Sequence, residues 1–346
     1  MRQTHRRSLI FTGLMGVLIM AVVLAASVGA AAIAPGDVLR VIASYLPWLG
    51  DRVDVSSVSL AHESILLHIR LPRIALAFLV GGSLSVAGSA MQGMLKNPMA
   101  DPFIMGTSSG AALGAAVAIV LRLNQSLLGF GAVSMMAFAG ALLATSIVYR
   151  LARIGGRVPV TALLLAGIAT GQFFTAILSF LMVIASRDVN SIVYWTLGSL
   201  SSRGWQHVGL VVLPALFGTA VLMFHSRDLN LLLLGEDTAA NTGVPVERVK
   251  RVLLITSTLM TAFMVSVSGI IGFVGLIVPH ATRFFTGPDH RFLIPASGLA
   301  GGIFLIVADT LSRTVIAPTE LPVGILTAMA GAPFFIYLLR RSKKIS

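Results

Sequence analysis

Apolar runs follow one another along almost the whole chain, parted only by short clusters of proline, glycine and charge. Many are about 18 residues or longer, the length that crosses a bilayer as a helix. Placing breaks at the Pro/Gly clusters and charges predicts ten spans, near 9–33, 65–95, 103–121, 126–149, 158–186, 206–224, 252–269, 271–285, 293–312 and 322–339. The seventh and eighth are the least distinct, separated only at "SGIIGFVG" (268–275). The first run follows Arg2, Arg6 and Arg7, as a signal peptide would. It exceeds the roughly 7–15-residue core of such a peptide, and the hydrophobicity continues beyond it, so it reads as a retained first span.

One stretch between the second and third spans, "QGMLKNPMADPFIMG" (92–106), carries Asn97-Pro98 and Asp101-Pro102 directly after Lys96. Residues before proline are pushed away from the helical region, so a rigid turn is predicted there. Two further loops are more than connectors. One spans 34–64, holds Asp37, Asp51 and Asp54, and is expected outside. The other, "RDLNLLLLGEDTAANTGVPVERVKR" (227–251), is expected inside, with "EDTAANTGV" forming a short helix capped by Gly243. Neither is long enough for a separate soluble domain. The expectation is one all-α polytopic membrane domain over 1–346.

Composition agrees with this reading: 56% of residues are hydrophobic and only 11% charged, against about 25% in a soluble domain. The net charge of +12 would suggest nucleic acid in a soluble protein. Here it follows from the excess of Lys and Arg in cytoplasmic loops, and no nucleic-acid partner is expected. With both termini cytoplasmic, 17 of the 25 basic residues fall inside and 8 outside. The outer eight are Arg40, Arg52, Arg70, Arg73, Arg122, Arg187, Arg203 and Arg313. Five spans per half, an odd number, give the halves opposite orientation, the arithmetic of an inverted repeat, although no sequence repeat accompanies it. The absence of cysteine excludes disulfides and thiol chemistry and leaves the compartment open.

The spans hold almost no ionisable chemistry. Of 13 acids, only Asp309 lies well inside a predicted helix. It stands four residues before Arg313, so the two are expected to pair on one face. A lone acid does not make a proton relay, which argues against an ion-coupled secondary transporter. The sequence lacks both the G-x-x-x-x-G-K-[ST] loop and the H-E-x-x-H zinc helix, and no His, Asp or Ser cluster marks an intramembrane enzyme. His5, His62, His225 and His290 fall at span ends, and His280 reads as a helix-end hydrogen-bonding residue. A transport pathway driven by a partner fits this pattern. Several spans carry glycines (Gly81, Gly82, Gly88, Gly110, Gly114, Gly298, Gly301, Gly302), which let helices approach closely.

Ordered motifs then carry a resemblance. "RLPRIALAFLVGGSLSVAGSAMQGMLKNPMADPFIMGTSSGAALG" (70–114), "LLLAGIA" (163–169), "YWTLGSL" (194–200), "LGEDTAANTGV" (234–244), "GIIGFVGLIVPHATRFFTGPDHRFLIPAS" and "ADTLSR…ELPVGILTAMAGAPFFIYLL" stand in family order. Together they resemble the binding-protein-dependent ABC permeases that import iron chelates, haem and cobalamin, over nearly the whole chain after about Ala61. The resemblance implies the type II importer architecture, in a bacterial or archaeal cytoplasmic membrane. It implies a second permease subunit (a homodimer is the first expectation), two cytoplasmic ATP-binding subunits and a periplasmic or lipid-anchored binding protein. ATP and Mg would sit on the ATPase; no cofactor, metal or catalytic residue is expected on this chain.

The resemblance also implies roles for residues. Arg70, Arg73 and Arg313 match arginines that meet carboxylates of the binding protein; the alternative is arginines snorkelling to headgroups. Gly235, Glu236, Ala239, Ala240 and Gly243 match the ATPase-contacting loop; the alternative is an ordinary Gly-capped turn. Asn97, Met99, Val160 and Thr161 match the cytoplasmic gate, with Val160 apolar where a polar residue is usual and Met99 in place of leucine. Such a constriction still closes by excluding water. On the fifth span, Gln172, Phe173, Phe174, Thr175 and Ser179 are candidates to line the pathway, against simple helix packing for the phenylalanines. An iron–siderophore or haem cargo is the first expectation, cobalamin the second, an oxyanion such as molybdate a more distant one.

Overall fold

The structure, a computed structural model, describes residues 2–45, 53–123, 126–127 and 130–342. Asp51 and Arg52 of the outer loop, and Lys343 and Lys344 at the end, lie outside the described residues. In chain order the helices are α1 (Arg2–Ser27), α2 (Pro35–Ser44), α3 (Leu60–Ile65), α4 (Leu71–Met94), α5 (Thr107–Val120), α6 (Ala132–Ala152), α7 (Val160–Ile184), α8 (Val189–Thr196), α9 (Trp205–Phe224), α10 (Ser226–Leu234), α11 (Glu236–Asn241), α12 (Val246–Ser268), α13 (Val274–Thr286), α14 (His290–Ser312) and α15 (Val323–Ser342). A two-residue hairpin, Ser126–Leu127 with Phe130–Gly131, precedes α6.

Among the described residues seven stretches are long and apolar enough to cross a membrane: 6–27, 60–94, 132–152, 160–184, 205–224, 246–268 and 290–312. Each of the ten predicted spans meets a helix, but α5 and α13 have only 14 and 13 residues. At about 1.5 Å per residue α13 reaches roughly 20 Å, short of a hydrocarbon core of about 30 Å. Its late start has a local cause. Gly269 ends α12 at φ +68°, and Phe273 is left-handed at φ +69°, so the chain re-enters the helix only at Val274. Sequence pattern registered this break as glycines; it could not register a left-handed phenylalanine, which is rare.

The second span begins earlier than predicted, at Leu60, where the Ser59 hydroxyl accepts the His62 N–H at 3.2 Å. It runs on through a π-helical turn, Leu66–Arg70, into α4. Pro72 has no N–H to give, and just before it the Leu71 N–H reaches back five residues to the Leu66 carbonyl. Such single π turns insert one extra residue into a helix, and this one sets the direction of Arg70.

α4 is the centre of the bundle, enclosed by α14, α12, α13 and α9. Apolar burial falls into two main clusters. One gathers Ala25, Val41, Leu76, Leu84, Ile271 and Leu305; the other gathers Met94, Ala100, Leu163, Leu229, Ala239 and Leu253 at the end that carries α10 and α11. Helices meet where side chains vanish. A Cβ on Gly81 would stand 2.2 Å from the Gly301 carbonyl oxygen, and one on Gly88 would stand 1.8 Å from that of Gly275. Backbones in such contact gain dispersion along their length, the main source of helix association where no water is left to expel.

Because the obstacle at Gly88 is backbone, no rotamer relieves it. Gly88→Ala is expected to cost about 1–3 kcal/mol or more, read as a lower temperature of loss of the monodisperse peak in detergent. Gly13→Ala, where nothing lies within 4 Å, serves as the neutral control. Equal melting of the two variants would contradict the packing account.

Candidate functional site

At one end of the bundle three guanidiniums gather, and two of them, those of Arg70 and Arg313, meet the last turn of α1. The final carbonyls of a helix lack intrahelical partners, and α1 has no basic residue of its own there. Arg70, only 4% exposed, donates from Nη1 to the carbonyls of Ala26 and Ser27 and from Nη2 to that of Ala31. Arg313 donates from Nη2 to the Ala25 carbonyl. Positive charge at a helix C-terminus also complements the helix dipole.

Arg73, 7% exposed, is held between two carboxylates. Its Nε and Nη2 donate to Asp309 Oδ2 and Oδ1, each at 2.9 Å, and its Nη1 donates to Glu320 Oε2 at 2.9 Å. The expected Asp309–Arg313 pair is therefore not formed: among the described residues Asp309 pairs with Arg73. The i,i+4 expectation fails because Asp309 faces α4 and is 2% exposed, whereas Arg313 lies past the end of α14 and turns to α1. Three guanidiniums against two carboxylates leave one net positive charge around a cavity of about 260 Å³. A cavity so charged has capacity for one further carboxylate.

At the opposite end, α4 closes in a Schellman cap: Lys96 N–H donates to the Gly93 carbonyl and Asn97 N–H to that of Gln92, at 3.3 and 3.2 Å. Lys96 takes the left-handed position at φ +50°, which glycine would occupy more cheaply. Asn97 Oδ1 accepts the Met99 N–H at 2.9 Å, and Asp101 Oδ1 accepts the Phe103 N–H at 2.8 Å. Both residues before proline thus act as side-chain caps of a rigid turn. Met99 and Thr161 are exposed; Asn97 and Val160 are half-buried. Val160 packs on the same apolar cluster as Leu95, Ala100 and Val158, so one body joins the two predicted gate loops.

The 227–251 loop is mostly helical. Gly235, at φ +131°, a value side chains rarely adopt, joins α10 to α11. Glu236 accepts from Lys250 Nζ at 3.1 Å, and Glu247 lies 3.6 Å from the same ammonium, tying α11 to the start of α12. Ala239 is buried in the second apolar cluster, while Asp237, Thr238, Ala240, Asn241 and Gly243 are exposed. The predicted small-residue face therefore divides: Ala239 anchors α11, and Ala240 with Gly243 presents the free surface.

On α7, Gln172, Phe173, Thr175 and Ser179 are exposed. Phe174 corrects the predicted set, since at 5% exposure it is turned into the bundle while Phe173 is 63% exposed. The hydroxyls of Thr175 and Ser179 donate to the carbonyls of Gly171 and Thr175 at 2.8 and 2.9 Å, so much of the polarity of this face is spent on its own helix.

Several polar residues at work here escaped sequence reasoning. Glu320 completes the Arg73 site. Asn230 on α10 donates from Nδ2 to Asp289 Oδ1 at 2.7 Å and accepts the His290 N–H at 2.9 Å. The Asp289 carboxyl is held down at about 2, first by its hydrogen bond from Arg291, against the opposing effect of burial. The only sequence signal was the clustering of Asp289, His290 and Arg291 at a span end.

A polytopic helical bundle with a helical arm at one end and a charged cavity at the other has the form of a membrane permease. Comparison with known proteins specifies it further: residues 4–341 match the FecCD transport family, and the chain belongs to that family. It is 45% identical over 322 residues to the cobalamin import system permease protein BtuC of Halobacterium salinarum, covering 92% of this chain and 86% of that one. It is 41% identical over 283 residues to the hemin transport system permease protein HmuU of Yersinia pestis, covering 81% and 84%. A solved structure described as an inward-facing metal-chelate type ABC transporter superposes with TM-score 0.82 at 28% identity, covering 96% of this chain and 99% of that one.

Asp101 gives a pH-dependent expectation. Burial raises its carboxyl to about 6 from 3.8, with the Phe103 N–H opposing. The folded state thus holds the proton more tightly than the unfolded one. The stability this supplies is full below pH about 4 and is lost as the pH rises through about 6. Asp101→Asn keeps the acceptor for Phe103 and removes the buried charge. Its melting advantage over the parent should grow between pH 4 and 7, by at most about 3 kcal/mol; a difference independent of pH would contradict this.

Proposed function

We propose that the chain is the membrane subunit of an ATP-driven importer that passes a metal chelate of the iron–siderophore or haem class into the cytoplasm. The observation that carries this reading is the pairing of two surfaces at opposite ends of one bundle: the exposed face of α11, and the arginine cavity. In this reading the chain crosses the membrane ten times with both termini cytoplasmic, in a bacterial or archaeal cytoplasmic membrane. Two copies enclose a pathway lined by the Gln172–Ser179 face of α7. Two ATP-binding subunits, which hold ATP and Mg and perform the hydrolysis, seat against Ala240 and Gly243. A periplasmic or lipid-anchored binding protein delivers one carboxylate to each cavity. Surrounding lipid covers the apolar outer face. The turn at Asn97 and Met99 closes the inner side against Val160 and Thr161.

The burial of Arg70 and Arg73 refines the docking role. Arg73 is already neutralised by Asp309 and Glu320, so the spare charge comes from Arg70 and Arg313. Opposed charges of this kind speed encounter and fix orientation more than they add affinity. A second cargo reading, cobalamin, is favoured by the 45% identity to a permease named for cobalamin import. The haem and iron-chelate reading draws on relatives named for hemin, iron(3+)-hydroxamate and Fe(3+)-citrate import.

The test is reconstitution in proteoliposomes with the cognate ATPase and binding protein. Arg70→Glu with Arg313→Glu should abolish stimulation of ATP hydrolysis by the binding protein while the ATPase still co-purifies and keeps its basal turnover. Undiminished stimulation would overturn the docking role. Ala240→Arg should prevent co-purification of the ATPase, and intact assembly would overturn the coupling role. ATP-dependent uptake of ferric hydroxamate or haem, measured beside cobalamin in the same vesicles, decides the cargo.

A further inference from the structure

The arm that carries α11 is fastened to the start of α14 at a polar point on α10. Asn230, in the middle of α10, accepts from the His290 backbone N–H at 2.9 Å and lies 3.0 Å from its ring Nδ1. Because Asn230 Nδ2 donates to Asp289, its Oδ1 is the atom facing His290. An oxygen there can only accept, so Nδ1 carries the imidazole proton. The tautomer fixes the ring, which is fully buried. Its far edge presses on α4: a Cβ built on Gly93 would lie 2.4 Å from His290 Nε2 and 3.1 Å from a methyl of Leu229, also on α10. The ring packs directly against the Gly93 backbone. It needs a glycine on the other side.

Gly93 belongs to the last turn of α4. Its own carbonyl accepts the Lys96 N–H in the Schellman cap, and the next bond of that cap positions Asn97. Lys96 is left-handed without being glycine, a conformation that a side chain holds only where its surroundings fix it. A displacement of α10 therefore has a short, stiff route to this turn. It runs from the Asn230 amide through the imidazole and the Gly93 backbone to the cap.

We infer that Asn230, His290 and Gly93 are positioning residues that transmit movement of the ATPase-contacting arm to the cytoplasmic gate turn. This rests on the proposed roles of α11 and of the Asn97–Met99 turn. Packed side chains and hydrogen bonds between rigid helices carry coupling when they bias an element that has two states. The Glu236–Lys250 pair ties the same arm to α12, but it does not end on the turn.

The chain has no cysteine, so Met99→Cys gives this subunit a single thiol at the turn. The assay follows its labelling by a membrane-impermeant maleimide in the full complex in nanodiscs, with and without ATP and vanadate. In the otherwise unaltered chain the labelling rate should change with nucleotide on the order of fivefold or more. Asn230→Ala, which removes the tie, should lose that change while the ATPase still co-purifies and turns over. His290→Asn keeps a donor toward Asn230 but removes the ring from Gly93, and should lose it too. If Asn230→Ala does not assemble, His290→Asn decides alone. A nucleotide response retained in an assembled variant would overturn the inference and leave the gate reading standing. No response in the unaltered Met99→Cys chain would overturn the gate reading itself, and this inference with it.

Discussion

The fold depends on what happens to charge at the outer end of α4. Arg73 enters the bundle with a full positive charge, and burial of an unpaired charge costs several kcal/mol. Asp309 from α14 and Glu320 from the segment before α15 meet it. The pair therefore fixes the rotation of α14 against α4, the two helices that pack most extensively. Arg70 and Arg313 extend the same constraint to α1, whose last carbonyls would otherwise face the bundle without donors. Four elements are held by one charged cluster, and the cluster keeps one positive charge unneutralised. Arg73 is paired with carboxylates, whereas Arg70 and Arg313 meet backbone carbonyls at the end of α1 and in the proposed reading also serve recognition.

The inner end is built by other means. Its contacts are mostly apolar, through Met94, Leu95, Leu229 and Leu253, and its polar groups act as caps and ties: Asn97, Asp101, Asn230, Asp289 and the Glu236–Lys250 pair. Caps define turns that can be replaced by other turns at modest cost, whereas a buried ion pair resists rearrangement. In the proposed reading that contrast suits a permease whose outer end holds still for a docking protein while its inner end answers an ATPase. Glycine crossings such as Gly81 with Gly301 let the helices between the two ends move as close-packed bodies.

Much of this was legible in the chain where the determinants are local. Pro98 and Pro102 announced the turn. The glycines of "SGIIGFVG" announced the break between α12 and α13, and apolar runs located each long helix. The choice of partner for Asp309 was not legible. Arg313 is four residues away and Arg73 is 236, and only the rotation of α14 decides between them. The facing of Phe173 and Phe174 was hidden for a related reason. α7 carries Gln172, Thr175 and Ser179 on its exposed face, but Phe173 and Phe174 are adjacent and equally apolar, so hydrophobicity alone does not say which of them turns inward. Asn230 and His290 lie 60 positions apart, and neither sits in a local pattern that points to the other. The family resemblance pointed to the three outer arginines but not to the carboxylates that hold one of them.

The claim that the Arg73–Asp309 pair is the internal lock of the bundle is tested most directly by a double-mutant cycle of Arg73→Met and Asp309→Leu, read as unfolding stability in detergent. Removing Arg73 alone strands a buried carboxylate and should cost about 3–5 kcal/mol. Replacing both should recover most of that loss, because apolar side chains of similar size fill the site and Glu320 can turn to water. Losses that simply add, with the double variant weaker than either single one, would contradict the account.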